Sequence, residues 1–342
     1  MLTGATGFVG RELLTRLLER DDRHVYALVR AADDEAASAR LPRHPRLTAV
    51  PGDIESPGLG LEPRRTDALA EEVDTVVHCA ASVSFGLDLE DSRRVNVDGT
   101  RRVAELAERC AGLRRFTYIS TAYVAGAHRG LFAEDDLDVG QRFRNPYERS
   151  KFEAERLVRD RYGHLPLQVL RPSIVVGDSR TGRTSSFNVL YPPLRAFARG
   201  AMPALPARRS SPVDVVPVDY VADSVHDLVR GGEEGTFHLV AGRNATTVGR
   251  LMDLASRQFG RDRPPVFPPS IYRSLVLPLL RRRGGDRLRR LEVYFPYFSM
   301  RVRFADRRHP PAPPVERYFH RLIDFAERAR WGRGDGAVPL SG

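Results

Sequence analysis

The chain has 342 residues, enough to bury a large core in one compound unit or in two closely associated domains. Its 54 basic and 44 acidic residues leave a net charge of +10, but no nucleic-acid-binding motif accompanies this charge, so nucleic acid is not an expected partner. With two cysteines, no signal-peptide pattern and no long apolar run, the sequence excludes a disulfide framework and a membrane-spanning helix, and a cytoplasmic location is expected.

The first ten residues contain a glycine-rich turn that leads into a helix. Its glycines are spaced three residues apart, and the leucines that follow, from Leu13 to Leu18, recur at helical spacing. In a strand-to-helix turn of this kind, glycines permit a tight turn and a close approach of a dinucleotide pyrophosphate, which then faces the helix N-terminus. The residues predicted to bind the cofactor here are Gly4, Thr6, Gly7, Phe8, Val9 and Gly10.

The strand before this turn is short. Only Met1, Leu2 and Thr3 precede Gly4, whereas a buried strand usually has about five residues. We therefore expect the natural protein to begin upstream of Met1. A chain that started at Met1 would have an unusually short strand in the middle of its sheet.

Strands and helices alternate along the first half of the chain. Apolar runs predict strands at residues 24–29, 47–50, 74–81, 115–119 and 167–170, with helical patterns between them. This alternation predicts an α/β fold, a doubly wound parallel Rossmann sheet with a smaller, mostly helical C-terminal substrate domain. In such a sheet, residues at the carboxyl ends of the strands face the ligand crevice.

Several residues at those strand ends are candidates for cofactor binding. Arg30 ends the second strand, where an acid would favour NAD and an arginine can accommodate the 2′-phosphate of NADP; the alternative is a solvated arginine in an arginine-rich chain. Asp53 and Ile54 follow the third strand and could flank the adenine, although Asp53 could equally be a turn residue. Ala80 and Ala81 are small enough for a cofactor to pass close to the fourth strand.

The clearest catalytic pattern is the pair Tyr147 and Lys151. They lie four residues apart after the helix-start dipeptide Asn145-Pro146, so they share one face of a predicted helix. Lys151 is the only lysine in the chain. A compact ammonium beside a phenol is expected to lower the tyrosine pKa from about 10, which gives a proton donor near neutral pH. The alternative is an ordinary exposed lysine on a helix.

In this order, the segments resemble the extended short-chain dehydrogenases/reductases. The resemblance rests on the run Thr3-Gly4-Ala5-Thr6-Gly7-Phe8-Val9-Gly10, on Asn96-Val97-Asp98-Gly99-Thr100, and on Thr121 ahead of Tyr147 and Lys151. Within that family, the chain is similar to the thioester reductase and fatty acyl-CoA reductase, or male sterility, branch. The segments that carry this similarity are 52–54, 59–61, 78–85, 120–126 and 171–182, and the resemblance covers roughly residues 1–260.

The resemblance implies a role for each site residue. Tyr147 would donate a proton to the substrate oxygen, Lys151 would hold the nicotinamide ribose, and Thr121 would hydrogen-bond the substrate carbonyl. Asn96 would assist a proton relay. On spacing alone Ser120 could replace Thr121, and the family pattern favours Thr121. No metal site is implied. Further cofactor contacts are implied at Pro172, Ser173 and Ile174.

The order of these segments also predicts the domain organisation. Residues 1–176 would form the NADP-binding Rossmann domain, to which residues 212–232 return. Residues 177–211 and 233–330 would form the substrate-binding part, and residues 331–342 a disordered tail.

The segment 270–283 is apolar and ends in three arginines. It could lie on a membrane as a peripheral contact or cap an acyl channel. The alternative is a core or lid helix with a solvated basic end.

The resemblance implies an NADPH-dependent reductase that converts an acyl thioester into an aldehyde or an alcohol. The substrate would be an acyl-CoA or an acyl carrier protein, and the positive net charge would favour either of them. One alternative is another extended family member, such as a sugar-nucleotide epimerase or dehydratase or a hydroxysteroid-type dehydrogenase; those enzymes typically favour NAD, so Arg30 distinguishes them. The other is a non-catalytic dinucleotide-binding regulator, against which the intact set of Thr121, Tyr147 and Lys151 argues.

Overall fold

The computed structural model of the protein describes residues 1–279 and 292–332. The strands are β1 (Leu2–Thr3), β2 (Val25–Val29), β3 (Leu47–Pro51), β4 (Thr75–His78), β5 (Arg115–Ile119), β6 (Arg129–Phe132), β7 (Leu167–Pro172), β8 (Ile174–Val176), β9 (Leu205–Pro206), β10 (Pro212–Val213), β11 (Val215–Pro217), β12 (Gly235–Leu239), β13 (Thr246–Thr247), β14 (Val266–Phe267) and β15 (Arg301–Phe304). The helices are α1 (Phe8–Arg20), α2 (Asp34–Ser38), α3 (Pro63–Glu72), α4 (Leu89–Arg93), α5 (Gly99–Arg109), α6 (Pro146–Tyr162), α7 (Tyr191–Ala198), α8 (Val218–Gly231), α9 (Val248–Phe259), α10 (Pro269–Ile271) and α11 (Phe319–Arg328).

Within the described residues, seven strands form one parallel sheet in the order β12-β7-β5-β4-β1-β2-β3. The chain runs outward from β1 through β2 to β3 and then returns to β4, on the other side of β1. The carboxyl ends of β1 and β4 therefore flank the topological switch point, where doubly wound sheets bind their ligands. The predicted Rossmann architecture is confirmed. Strand β1, the third from the β3 edge of the sheet, has two residues.

Helices α5 and α6 pack their apolar faces against this sheet. Val103 and Ala107 of α5 and Val158 of α6 belong to one buried cluster with Phe116 and Tyr118 of β5. A fully buried side chain of this size contributes about 1.5–3 kcal/mol to stability. This packing therefore fixes the position of α6 against the middle of the sheet.

Helix α6 begins where the sequence predicts. Asn145 is its N-cap, and the Asn145 side chain accepts a hydrogen bond from the Glu148 backbone N–H at 2.9 Å. Pro146 occupies the first helical position, where its missing N–H costs nothing. Caps of this type contribute about 1 kcal/mol, so the local sequence fixes the start of the helix.

The chain divides into two compact units. Unit 1 contains the parallel sheet and consists of Met1–Gly126, Glu134–Pro172 and Tyr220–Leu239. Unit 2 consists of Ala127–Ala133, Ser173–Asp219 and the described residues of Val240–Gly342. Unit 2 contains helices α7, α9, α10 and α11 together with pairs of short strands: β6 with β15, β8 with β11, β9 with β14, and β10 with β13.

The division between the units differs from the predicted domain boundaries. Residues 212–217 do not return to the large sheet, because Val215–Pro217 pairs with Ile174–Val176 inside unit 2. Conversely, Gly235–Leu239 extends the large sheet by pairing with Leu167–Pro172, although the sequence analysis assigns it to the substrate-binding part. Both pairings join distant segments, which local apolar patterns do not reveal.

In the part of the chain that the structure describes, no helix is both long and apolar enough to cross a membrane. The described part of segment 270–283 is helical, and its Tyr272 and Leu277 are buried in a cluster with Ala204. Residues 280–283, with their arginines, and tail residues 333–342 lie outside the described residues. Membrane contact through this segment stays a prediction.

Candidate active site

Lys151 is buried against the carboxyl end of β5. Its Nζ donates a hydrogen bond to the backbone carbonyl of Ile119 at 2.8 Å. The same Nζ lies 4.3 Å from the centroid of the Tyr118 ring. With 2% of its surface exposed, the only lysine of the chain is not an ordinary solvated helix lysine.

The position of Lys151 sets its charge state. Burial disfavours the ammonium and lowers the pKa of Lys151 to about 7, while Cys79 and Glu155 act electrostatically in the opposite direction. The side chain therefore exchanges its proton near neutral pH. An anionic ligand placed beside it would favour the charged form.

Tyr147 departs from the expectation based on the sequence. It is half-buried, and desolvation raises the pKa of Tyr147 to about 12, with a hydrogen bond between Thr121 and Tyr147 acting in the opposite direction. The expected lowering by Lys151 is wrong for this structure, because desolvation of the phenol is the largest influence and outweighs the lowering contribution. A phenol that keeps its proton at neutral pH can act as a general acid, which suits the reduction of a carbonyl.

The two candidate hydroxyls after β5 have different partners. Thr121 bonds to Tyr147, donates to the Pro172 carbonyl at 3.4 Å and accepts the Tyr123 backbone N–H at 3.2 Å. Ser120 instead donates to a carboxylate oxygen of Glu155 at 2.6 Å. The structure thus brings Thr121, and not Ser120, into contact with the phenol.

Glu155 is a buried charge that the sequence analysis missed. Its carboxylate and the guanidinium of Arg171 are both fully buried, with Nη2 and Oε1 at 2.7 Å. Arg159, one turn along α6, contacts the same carboxylate at 2.8 Å. A sequence signal existed: Tyr147, Lys151 and Glu155 follow each other at intervals of four residues and so share one helix face.

Asn96 joins two segments of the site and lies in a π turn, Arg94–Asp98, between α4 and α5. Its Oδ1 accepts the Ser82 backbone N–H at 2.8 Å, and its Nδ2 donates to the Ser82 carbonyl at 3.1 Å and to Ser150 Oγ at 2.9 Å. The loop after β4 is thereby tied to α6. In that loop the Phe85 ring lies 5.8 Å from the Tyr147 ring.

The glycine turn has the close contacts that a dinucleotide-binding turn requires. A Cβ at Gly10 would lie 2.0 Å from the Gly4 carbonyl oxygen, and one at Gly4 would lie 2.6 Å from the Ala80 nitrogen. Gly4 also has a φ of +75°. Gly7 precedes α1 without a side-chain cap, so the helix N-terminus is left for an anion. These residues fit a bound pyrophosphate.

A buried hydrogen-bonded chain fixes the strand ends beside this turn. Ala80 N–H donates to Thr3 Oγ1 at 3.2 Å, and Thr3 Oγ1 lies 2.7 Å from His78 Nδ1. On the other side of the ring, His78 Nε2 lies 3.0 Å from Thr100 Oγ1, which donates to the Asn96 carbonyl. Burial lowers the pKa of His78 to about 3, so the ring is neutral, and this pattern requires its proton on Nε2. Ala81 follows Ala80 in a half-buried position.

Arg30, Asp53 and Ile54 lie beyond the carboxyl ends of β2 and β3. The Arg30 side chain is 73% exposed and lies 3.6 Å from Glu55, which also pairs with Arg94. Asp53 Oδ1 accepts the Glu55 backbone N–H at 2.9 Å and so stabilises its own turn. Ile54 packs on Gly99, where a Cβ would lie 2.9 Å from its side chain.

Three further predicted cofactor residues divide between the units. Pro172 ends β7 in unit 1 and accepts the hydrogen bond from Thr121. Ser173 and Ile174 belong to unit 2, where Ile174 pairs with Val215. Their contact with a cofactor stays a prediction.

Comparison with known proteins gives matches along most of the chain. A family model described as "Male sterility protein", an NAD-binding domain, matches residues 2–225. Carboxylic acid reductase of Segniliparus rugosus is 32% identical over 277 residues, covering 69% of this chain and 23% of that protein. Fatty acyl-CoA reductase 1 of Xenopus laevis is 27% identical over 273 residues, covering 66% of this chain and 53% of that protein.

Among solved structures, the terminal R domain from the myxalamid PKS-NRPS biosynthetic pathway superposes with a TM-score of 0.81 at 27% identity. The match covers 98% of this chain and 92% of that domain. The chain spans between 5% and 53% of the length of eight curated relatives that it matches.

Proposed function

Because the chain belongs to the male sterility protein family of NAD-binding domains, we propose that it is an NADPH-dependent reductase of acyl thioesters. The substrate is a fatty acyl-CoA or an acyl chain on a carrier protein. The product is an aldehyde, or an alcohol after a second reduction. The observation that carries the proposal is the cluster of Thr121, a protonated Tyr147 and a buried Lys151 at the end of β5.

The residues of this cluster have distinct tasks. When bound, the nicotinamide supplies a hydride to the carbonyl carbon of the thioester. Thr121 and Tyr147 hydrogen-bond the carbonyl oxygen, and Tyr147 transfers its proton to that oxygen as negative charge develops there. Lys151 binds the ribose through its ammonium.

The departure of the thiol completes the proton transfers of the reaction. The hemithioacetal formed in the reduction loses its hydroxyl proton as the C–S bond breaks, and the sulfur takes up a proton, giving an aldehyde and a free thiol. In total the thioester gains one hydride and one proton. Tyr147 recovers its proton from solvent, as a phenol with a raised pKa does readily.

The preference for NADPH over NADH rests on Arg30. Its present partner is an exposed ion pair with Glu55, and such pairs contribute only about 0–1 kcal/mol. Charge-assisted contacts of a guanidinium with a phosphate contribute about 1.5–3 kcal/mol. Arg30 can therefore exchange Glu55 for a 2′-phosphate at a net gain, while Arg94 keeps Glu55 paired.

We assign cofactor binding to unit 1 and part of substrate binding to unit 2. Unit 1 contains the glycine turn and the residues Thr121, Tyr147 and Lys151. Unit 2 contains an apolar cavity of about 50 Å³, with Leu194, Phe197, Leu251 and Met252 among its lining residues. Apolar lining of this kind suits an acyl chain.

The experiment that tests the proposal follows NADPH oxidation with a panel of acyl-CoAs and identifies the products. We expect stoichiometric aldehyde or alcohol, and loss of the reaction in Tyr147→Phe. Tyr26→Phe, which removes a hydroxyl bonded to Glu72, is the matched control and should keep its rate. Binding of NADPH without reduction of any thioester would contradict the activity and leave the family assignment intact. Reaction with NADH and a hydroxy or sugar-nucleotide substrate would favour the other extended family members.

A further inference from the structure

Unit 2 carries a two-stranded ribbon with a cationic outer face, here called the arginine ribbon. Strands β6 and β15 pair in parallel, so that Arg301 lies opposite Arg129 and Arg303 lies opposite Leu131. Because side chains alternate along a strand, these four share one face of the ribbon. All four are exposed, Leu131 by 52%.

The opposite face of the ribbon is part of the core. Phe132, Val302 and Phe304 are each at most 5% exposed. The buried face therefore fixes the pairing and the register, and a one-residue slip would place arginines in the core. The outer face is left with a fixed pattern of charge.

The three arginines of the ribbon lack acidic neighbours. Neither residues 127–133 nor residues 299–305 include an acid, and among the described residues no carboxylate pairs with Arg129, Arg301 or Arg303. Exposed arginines elsewhere do pair, as Arg109 does with Asp67. Like charges directly across a strand pair destabilise it, so the arrangement costs stability in the isolated protein. An acidic surface bound to the ribbon would make the electrostatic contribution of these arginines to stability favourable.

We propose that the arginine ribbon is the docking face for an acidic protein surface. This inference rests on the proposed function, under which the partner is the carrier protein that presents the acyl thioester. Arginines around one exposed leucine match the composition of protein interfaces, in which arginine is enriched and apolar contacts lie at the centre. Its exposed side chains are spread over two paired strands, so the face fits a protein surface better than a free nucleotide.

The test compares two triple variants of equal charge. Arg129→Gln, Arg301→Gln and Arg303→Gln together remove three charges from the ribbon. The control removes three charges elsewhere, at the exposed residues Arg64, Arg180 and Arg257, each changed to Gln. Both variants reduce the net charge from +10 to +7, which is 10 minus 3, so bulk charge is matched. Melting curves establish that each variant is folded.

Two substrates are used, both with the acyl group that the acyl-CoA panel shows to react fastest. One is that group on an acidic acyl carrier protein, and the other is its N-acetylcysteamine thioester, which has no charged handle. For the ribbon variant, we expect kcat/KM with the carrier substrate to fall at least about tenfold at low salt and much less at high salt. The small thioester should react within about twofold of the unmodified rate, and the control variant should change neither.

Equal losses in both triple variants, or an equal loss with the small thioester, would overturn the docking face. Direct measurement of carrier binding separates this inference from the proposed function. If no thioester is reduced, the proposed function fails, yet carrier binding that is lost in the ribbon variant would still support the docking face. If the small thioester is reduced but the carrier protein neither binds nor reacts, the docking face fails and the proposed function stands.

Discussion

Tyr147 and Lys151 lie on the same face of α6 but differ in how readily they change protonation state. Desolvation raises the pKa of the phenol to about 12, whereas it lowers the pKa of the ammonium to about 7. The same physical cause acts in both cases, since burial disfavours whichever form is charged. Near neutral pH the site therefore has a protonated acid beside a group whose charge depends on its ligand.

For Tyr147→Phe, we expect a folded protein that binds NADPH and loses at least two orders of magnitude in kcat. The ring still packs beside Phe85, while the transferable proton is lost, and general acid catalysis contributes about 10²–10⁴-fold. Turnover with the fastest acyl-CoA, together with the melting temperature, checks this. A variant that keeps more than a tenth of the wild-type kcat would exclude Tyr147 as the acid.

The pH dependence of kcat/KM for NADPH should report the protonation state of Lys151. In the free enzyme the ammonium is present below pH 7 and lost above it, so kcat/KM for NADPH should fall as pH rises through about 7. The unfolded chain, with a lysine pKa near 10.5, holds more protons between these values, so this group makes the free energy of unfolding rise with pH from about 7 to 10.5.

The control for that profile is Lys151→Arg. A guanidinium keeps its charge across the range, so the residual activity should show no inflection near pH 7. The variant should also lose activity, because the planar group cannot occupy the position of the ammonium at the Ile119 carbonyl. An unchanged profile in this variant would assign the inflection to another group.

At the scale of elements, the turn between β1 and α1 has no room for added atoms. We expect Gly10→Ala to weaken NADPH binding at least tenfold and to lower the melting temperature, since the new Cβ would lie 2.0 Å from the Gly4 carbonyl oxygen. Gly112→Ala is the control, because a Cβ there meets nothing within 4 Å. The dissociation constants of NADPH for the two variants, measured by NADPH fluorescence, test this expectation. Equal affinities in the two variants would contradict the role of the turn.

Elements that depend on local patterns were predictable from the sequence. The cap of α6, the glycine turn and the four-residue spacing of Tyr147 and Lys151 all follow from residues close together in the chain. The contact between Glu155 and Arg171 was not predictable in this way, because it joins a helix to the next strand through full burial. The reversed pKa shift of Tyr147 has the same origin, since desolvation is a property of the packed site and not of a spacing.

At the scale of the whole molecule, the two units differ in how far the sequence predicts them. The sheet of unit 1 follows from alternating apolar runs, but the position of Gly235–Leu239 beside Leu167–Pro172 requires a pairing between segments far apart in the chain. The strands of unit 2 have two to four residues and are too short for a periodic signal. Its two-stranded ribbons can be recognised only in the structure, where each short strand pairs with a strand from elsewhere in the chain.

Cofactor binding should stabilise the protein as a whole. At a concentration 100 times its dissociation constant, NADPH adds about 2.7 kcal/mol to the free energy of unfolding. We expect NADH at the same concentration to stabilise less, and Arg30→Ala to remove most of that difference. Thermal melts of both proteins with each coenzyme measure this. Equal stabilisation of the unmodified protein by the two coenzymes would contradict the assignment of Arg30 to the 2′-phosphate.

Because the chain has a single lysine, Lys151 can serve as a site-specific spectroscopic probe. Protein grown with isotope-labelled lysine gives one side-chain resonance, and that resonance comes from the buried ammonium beside Tyr118. Ring currents from the aromatic face displace the signal from that of a solvated lysine, and its midpoint of titration should lie near pH 7. Amine-directed reagents have only this side chain and the terminal amine to modify, so protection by a bound coenzyme can be followed at one atom without any substitution.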